Sequence, residues 1–234
     1  NARAEGEALL KALGAALGQQ RCGDQQRAVI FKLSSWNVLT LRSQLRRVWP
    51  AVPWIFVHRD PVEVGVSQLR DPSGWMSLRT SNPSAAARLL GVQESSLADM
   101  APAQWCALVL AQFYAEAATA AEKDPTSCVL IDYCELDAAM LAYLASLGWV
   151  DSSLGHSLSV AELAALRAVS GTYSKKAEGN ADASWSPDSE EKRREASPKL
   201  LSALEKHNCG SAHARLLAHQ SSLRAEQLPQ VVLR

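Results

Sequence analysis

Three short apolar runs, residues 28–33 (AVIFKL), 54–58 (WIFVH) and 128–133 (CVLIDY), are separated by stretches long enough to hold helices. Each is rich in β-branched and aromatic residues and bounded by polar ones, the pattern of a buried strand. The middle run passes straight into Arg59-Asp60-Pro61, where Asp60 suits a helix N-cap and Pro61 its first turn. Strand, helix, strand in this rhythm is a βαβ pattern, which calls for parallel strands joined by right-handed crossovers. The fold class read from the sequence is therefore α/β. It is expected to be a helix-rich, three-layer parallel sheet with helices on both faces.

The 3.6-residue period marks helices around these runs. Leu9, Leu10, Leu13 and Leu17 share one face of a helix over residues 7–17. Val38, Leu41, Leu45 and Val48 do the same behind a Ser34 or Ser35 cap, with Pro50 and Pro53 ending the helix. Val62, Val64, Val66 and Leu69 mark the helix after Pro61, which stops near Asp71-Pro72. Residues 71–83 read as a loop, 84–90 and 102–123 as helices, and 137–147 as a helix closed by Gly148. A short helix is expected over 160–169.

Residues 170–197 turn polar and charged, with Trp185 standing alone. A long stretch of this kind reads as a functional loop near the strand ends. Within it, the run from Glu190 to Glu195 alternates charge in blocks, as a solvated helix face does. Helical periodicity returns over 200–223. The expected organisation is one domain over 1–234: an N-terminal helix and linker (1–27), an α/β core (28–170), a polar loop (171–197) and a C-terminal helix and tail (198–234).

Lys plus Arg and Asp plus Glu number 24 each, so no global field draws nucleic acid or an anionic membrane. Any anion site must rest on a local cluster. No apolar run reaches about eighteen residues, so no transmembrane segment is expected. The five cysteines are widely spaced and form no CxxC pair, so neither a metal centre nor a disulfide framework is expected. Reduced thiols in a reducing compartment fit that spacing. Asn1 stands where Met would open a complete chain, which suggests a segment upstream.

Arg59 is the first candidate for chemistry. It lies at the carboxyl end of an expected parallel strand, where open α/β sheets bind ligands, and just before a helix N-terminus that favours anions. Ser67 follows eight residues on, about two turns into the helix. The plain alternative is that Arg59 pairs with Asp60 or Glu63 and Ser67 merely packs. His58 would sit inside the same crevice and could move a proton near neutral pH, or be a satisfied strand-end histidine. Lys32 could point at a reacting group or reach to solvent. Trp36 could stack on a ligand or belong to the core. His156, His207, His213 and His219 show no ligand spacing with a carboxylate.

The segments VIFKLSSW, PWIFVHRDPVEVGVSQL and VLIDYCEL together resemble sulfotransferases that use 3′-phosphoadenosine 5′-phosphosulfate. The resemblance runs from Ala28 to about Ala196 and implies a P-loop-like fold. It implies that Arg59 and Ser67 hold the 3′-phosphate of the cofactor. Tyr173-Ser174-Lys175, with Trp185, Asp188 and Lys192, resembles a late nucleotide-covering loop, which implies cofactor contacts for Tyr173 and Lys175. The implied reaction is sulfuryl transfer to a hydroxyl or amine acceptor, without a metal, with Lys32 the nearest cation and His58 a candidate base.

Two departures from the family stand out. No Gly-rich Lys-Ser/Thr loop for the 5′-phosphosulfate occurs, and Lys32-Leu33-Ser34-Ser35-Trp36 stands where many members carry Lys-Thr followed by a catalytic-base His, a Lys-Leu-x-x-Trp form that resembles one branch of the family. Two expectations follow: the loop is encoded upstream, or the chain is an inactive structural subunit whose partner covers an open sheet edge.

Overall fold

In a computed structural model, which describes residues 2–19, 30–125, 127–135 and 188–227, the middle apolar run forms β1 (Trp54–His58) and the last forms β2 (Cys128–Asp132). The two strands pair in parallel, with Trp54 opposite Cys128 and His58 opposite Asp132. Side chains alternate across a strand, so Trp54, Phe56, His58 and their partners Cys128, Leu130 and Asp132 share one face. Phe56, Cys128 and Leu130 on that face enter the main core, whereas Val57 on the other face is 41% exposed.

The helices in chain order are α1 (Ala2–Leu17), α2 (Asn37–Thr40), α3 (Arg42–Val48), α4 (Pro61–Arg70), α5 (Gly74–Ser81), α6 (Pro83–Leu90), α7 (Ser95–Ala98) and α8 (Pro102–Lys123). After β2 come a 3₁₀ turn (Tyr133–Glu135), α9 (Ser189–Glu195), α10 (Pro198–Lys206) and α11 (Cys209–Gln227). Helix α8 is the axis of the molecule. Trp105, Val109 and Ala117 on it are fully buried, and α4, α10 and α11 all pack against it. Its buried alanines let those neighbours approach closely. At Gly65 of α4, an added Cβ would stand 2.8 Å from Leu200 Cδ1 of α10, so the α4–α10 contact requires glycine there unless Leu200 moves.

The α4 N-terminus forms as the sequence dictates. Asp60 accepts a hydrogen bond from the Val62 amide at 2.8 Å, and Pro61 occupies the first helical turn. Helix α8 spans the residues expected of it, and α6 adds only Pro83 to its expected span. No helix of the described residues is long and apolar enough to cross a membrane. Cys106, Cys128, Cys134 and Cys209 are free thiols.

Several expectations are corrected. Ile30–Leu33 of the first apolar run forms no strand and is exposed, with Ile30 at 68%; residues 28 and 29 lie outside the described residues. A β-branched run is only a preference, and a partner ladder decides whether it becomes a strand. The described residues thus hold an α/β arrangement with a two-stranded parallel sheet, not the three-layer sheet expected. Residues 74–81 form α5 rather than loop, because Trp75 and Met76 find a buried place while Asp71-Pro72-Ser73 makes the turn before them. The expected 34–48 helix divides at Leu41 into α2 and α3.

Leu9, Leu13 and Leu17 of α1 are exposed, since α1 meets α3 with its Gly14 side, against the Trp49 ring. Residues 189–195 form helix within the stretch expected to be loop, and 170–187 lie outside the described residues, as do the helices expected over 137–147 and 160–169.

Trp105 tests how far α8 organises the core. Its indole N–H donates to the Trp75 carbonyl at 3.1 Å, tying α8 to α5. Replacing Trp105 by Ala should lower unfolding free energy by about 3–5 kcal/mol. Trp105→Phe, which keeps most of the apolar bulk and removes this one hydrogen bond, should lower it by about 0.5–1.5 kcal/mol. Urea denaturation followed by far-UV circular dichroism checks both values.

Candidate functional site at the strand ends

Because β1 and β2 are parallel and in register, their carboxyl ends emerge side by side, and Arg59 and Tyr133 follow them directly. The Arg59 guanidinium lies over the Tyr133 ring, 4.8 Å from its centroid, a cation–π contact. The Tyr114 hydroxyl donates to the Arg59 carbonyl at 2.6 Å and fixes the backbone where β1 turns into α4. Burial holds that phenol well above the usual tyrosine range, so it stays a donor.

The Arg59 side chain is engaged by carboxylates. Its Nε donates to Glu63 Oε2 and its Nη2 to Asp188 Oδ1, each at 2.5 Å. Asp188 also binds Lys192 at 2.7 Å, and Arg193 reaches Glu63 at 3.0 Å and Asp60 at 3.4 Å. The Ser189 hydroxyl donates to Glu63 at 2.9 Å, completing the partners of a carboxylate that is only 3% exposed. Three cations, Arg59, Lys192 and Arg193, thus face three anions, Asp60, Glu63 and Asp188. Burial alone would depress Arg59, but its bonds to Asp188 and Glu63 outweigh that and hold it above the usual arginine range. Asp188 is pushed up by its own burial, yet Lys192 and Arg59 bring it below the ordinary carboxylate range. The cluster pairs each of its cations with a carboxylate.

Behind Arg59, on the buried face, lies a second polar cluster. His58 Nδ1 stands 3.2 Å from His213 Nε2 of α11, and His58 Nε2 stands 3.1 Å from Gln220 Oε1. Since the amide oxygen only accepts, His58 Nε2 carries the proton and Nδ1 the lone pair, which receives the N–H of His213. His58 is 2% exposed; burial first, then the neighbouring His213, pulls its pKa down to about 4, so the ring is neutral. The Tyr114 ring lies 5.6 Å from His213, and Asp132 completes the group.

The residues singled out from the sequence divide as follows. Arg59 and His58 lie together at the end of β1. Ser67 is half-buried in α4, one turn beyond Glu63, and its hydroxyl makes no hydrogen bond among the described residues. Lys32 is exposed on the unpaired 30–33 segment and makes no ion pair among the described residues. Tyr173 and Lys175 lie outside the described residues. Trp36 is a core residue, edge-on to Phe113 with ring centroids 6.0 Å apart.

Sequence reasoning set His213 aside because nothing near it in the chain could share a ligand. The readable signal lay in α11, where Cys209, Ala212, His213, Leu216 and Gln220 are all buried. His213 and Gln220 are the polar members of that stripe, seven residues apart on one helix face.

Arg59→Met should lower stability by about 3 kcal/mol, because Glu63 would stay buried with only Arg193 to balance it. Adding Glu63→Gln should restore part of that loss. Urea titration of the single and double variants measures the coupling, and additive losses would contradict the pairing. No protein-family model, no curated protein and no solved structure matches the chain.

Proposed function

We propose that the chain carries the 3′-phosphate half of a 3′-phosphoadenosine 5′-phosphosulfate site and serves sulfuryl transfer to a hydroxyl or amine. The observation that carries this reading is the meeting of Arg59, at the carboxyl end of a parallel strand, with Asp188 and Lys192. These are residues of the two separate segments that the sulfotransferase resemblance names for nucleotide contact. The resting arrangement supplies a way in for the ligand. Asp188 occupies the Arg59 Nη2 that a phosphate would take, and it also neutralises Lys192.

A 3′-phosphate carries about two negative charges near neutral pH and offers three acceptor oxygens. It replaces Asp188 on Arg59 and draws the released Lys192 to itself, so one carboxylate leaves and two cations gain a stronger partner. Glu63, buried beneath, keeps Arg59 oriented throughout. The reaction this site would serve depends on holding donor and acceptor in line, with charge neutralised around the transferred group.

A second reading has its own support. With every cation of the cluster already paired, the same bonds fasten α9 to α4 and serve as a structural strut in a larger assembly.

Titration with adenosine 3′,5′-bisphosphate separates the two. The parent chain should bind it and melt at a higher temperature, a ligand at about 100 times its dissociation constant adding about 2.7 kcal/mol. Arg59→Lys, which keeps the charge and loses the planar fork, should weaken binding about tenfold or more. Asp188→Asn should tighten it. A parent chain that shows no binding by calorimetry, with Asp188→Asn equally silent, leaves the strut as the role of the cluster.

A further inference from the structure

We propose that His58, Asp132 and His213 form a divalent-cation site of the zinc type on the buried face of the strand ends. The three donor atoms lie within 4.8 Å of one another, drawn from β1, β2 and α11. His58 Nδ1 and His213 Nε2 stand 3.2 Å apart. Two nitrogens each about 2.0–2.1 Å from a tetrahedral zinc stand roughly 3.3–3.4 Å from one another, so the imidazoles are already spaced for one ion between them.

The supporting contacts are those a bound cation needs. Histidine ligands almost always donate their second N–H to an oxygen, and His58 does so to Gln220 Oε1 at 3.1 Å, which turns the Nδ1 lone pair towards His213. Asp132 is the register partner of His58, so the ladder delivers its carboxylate to the same face. One of its oxygens, Oδ1, accepts the Cys134 amide at 2.9 Å, which fixes the carboxylate beside the two rings. Binding asks for one rearrangement: the His213 proton passes from Nε2 to Nδ1, a change of tautomer with no net proton lost. Two imidazoles and a carboxylate leave the fourth tetrahedral position to water, the coordination of reactive rather than purely structural zinc.

The site does not depend on the nucleotide reading. It would, however, put a cation next to the Arg59 cluster, since His58 precedes Arg59 and Asp132 precedes Tyr133 in the chain.

Cobalt(II) tests the assignment, because tetrahedral Co²⁺ absorbs visibly and occupies zinc sites. Titrating the full chain with Co²⁺ should give the intense d–d bands of a four-coordinate ion, abolished by added Zn²⁺. His213→Gln and Asp132→Asn should each weaken binding about tenfold or more, with far-UV circular dichroism showing that both variants remain folded. His58 lies at the centre of the cluster, so the two flanking variants test the site while leaving His58 and β1 unchanged. The proposal is overturned if the parent gives no tetrahedral bands, or if both variants bind as the parent does. It is overturned equally by a thiolate-to-cobalt charge-transfer band, which would place Cys134 rather than this donor set on the metal.

Discussion

The register of two strands governs what this molecule can bring together. Parallel pairing of β1 with β2, His58 opposite Asp132, makes both chains leave the sheet at one level and in one direction. A slip of one residue would exchange the faces of every side chain on the slipped strand and send Asp132 to the side away from α11. The register is held by burial of Phe56, Cys128 and Leu130 against the helical layer, each side chain contributing on the order of 1.5–3 kcal/mol. The polar residues at the strand ends depend on that apolar packing for their positions.

Two polar clusters lie back to back across this point, and they answer the same physical problem differently. The Arg59 cluster balances three charges against three, so that no carboxylate or guanidinium is left alone, buried Glu63 included. The His58 cluster lies deeper and keeps its rings neutral, satisfying them through one another and through Gln220. An unpaired full charge at the depth of His58 would cost several kcal/mol, whereas Glu63, equally buried, lies against Arg59 and Arg193. Tyr114 stands between them, bonded to the Arg59 carbonyl and tilted against the His213 ring.

Local pattern made β1, β2, α4 and α8 legible in the sequence. Each rests on an apolar period read within a few turns and on a proline or aspartate that marks its start. The first apolar run carried the same local signal and formed no strand, because nothing in the sequence reports whether a partner ladder is present. The site was legible as far as Arg59, whose place after a strand follows from its neighbours. Its partners were not: Asp188 lies 129 residues away, and Gln220 lies 162 residues from His58. Contacts of that span depend on how α8 and α11 pack, and no local period encodes them. Histidine and glutamine placed in an otherwise apolar stripe were the trace that the sequence did contain.

The crossover from β1 to β2 has a bearing on how the chain reaches its fold. The two strands are separated in the chain by α4 to α8, and α11, which brings His213 and Gln220 to the site, follows both. Local helices form in microseconds or less, whereas pairing across such loops waits on the entropy of closing them. Until that closure, Phe56, Leu130 and the whole apolar flank of α8 have no cover. The hazard therefore belongs to the interval of synthesis more than to the finished molecule: a chain whose α11 is not yet complete already holds both strands and α8, with the α11 side of that core uncovered.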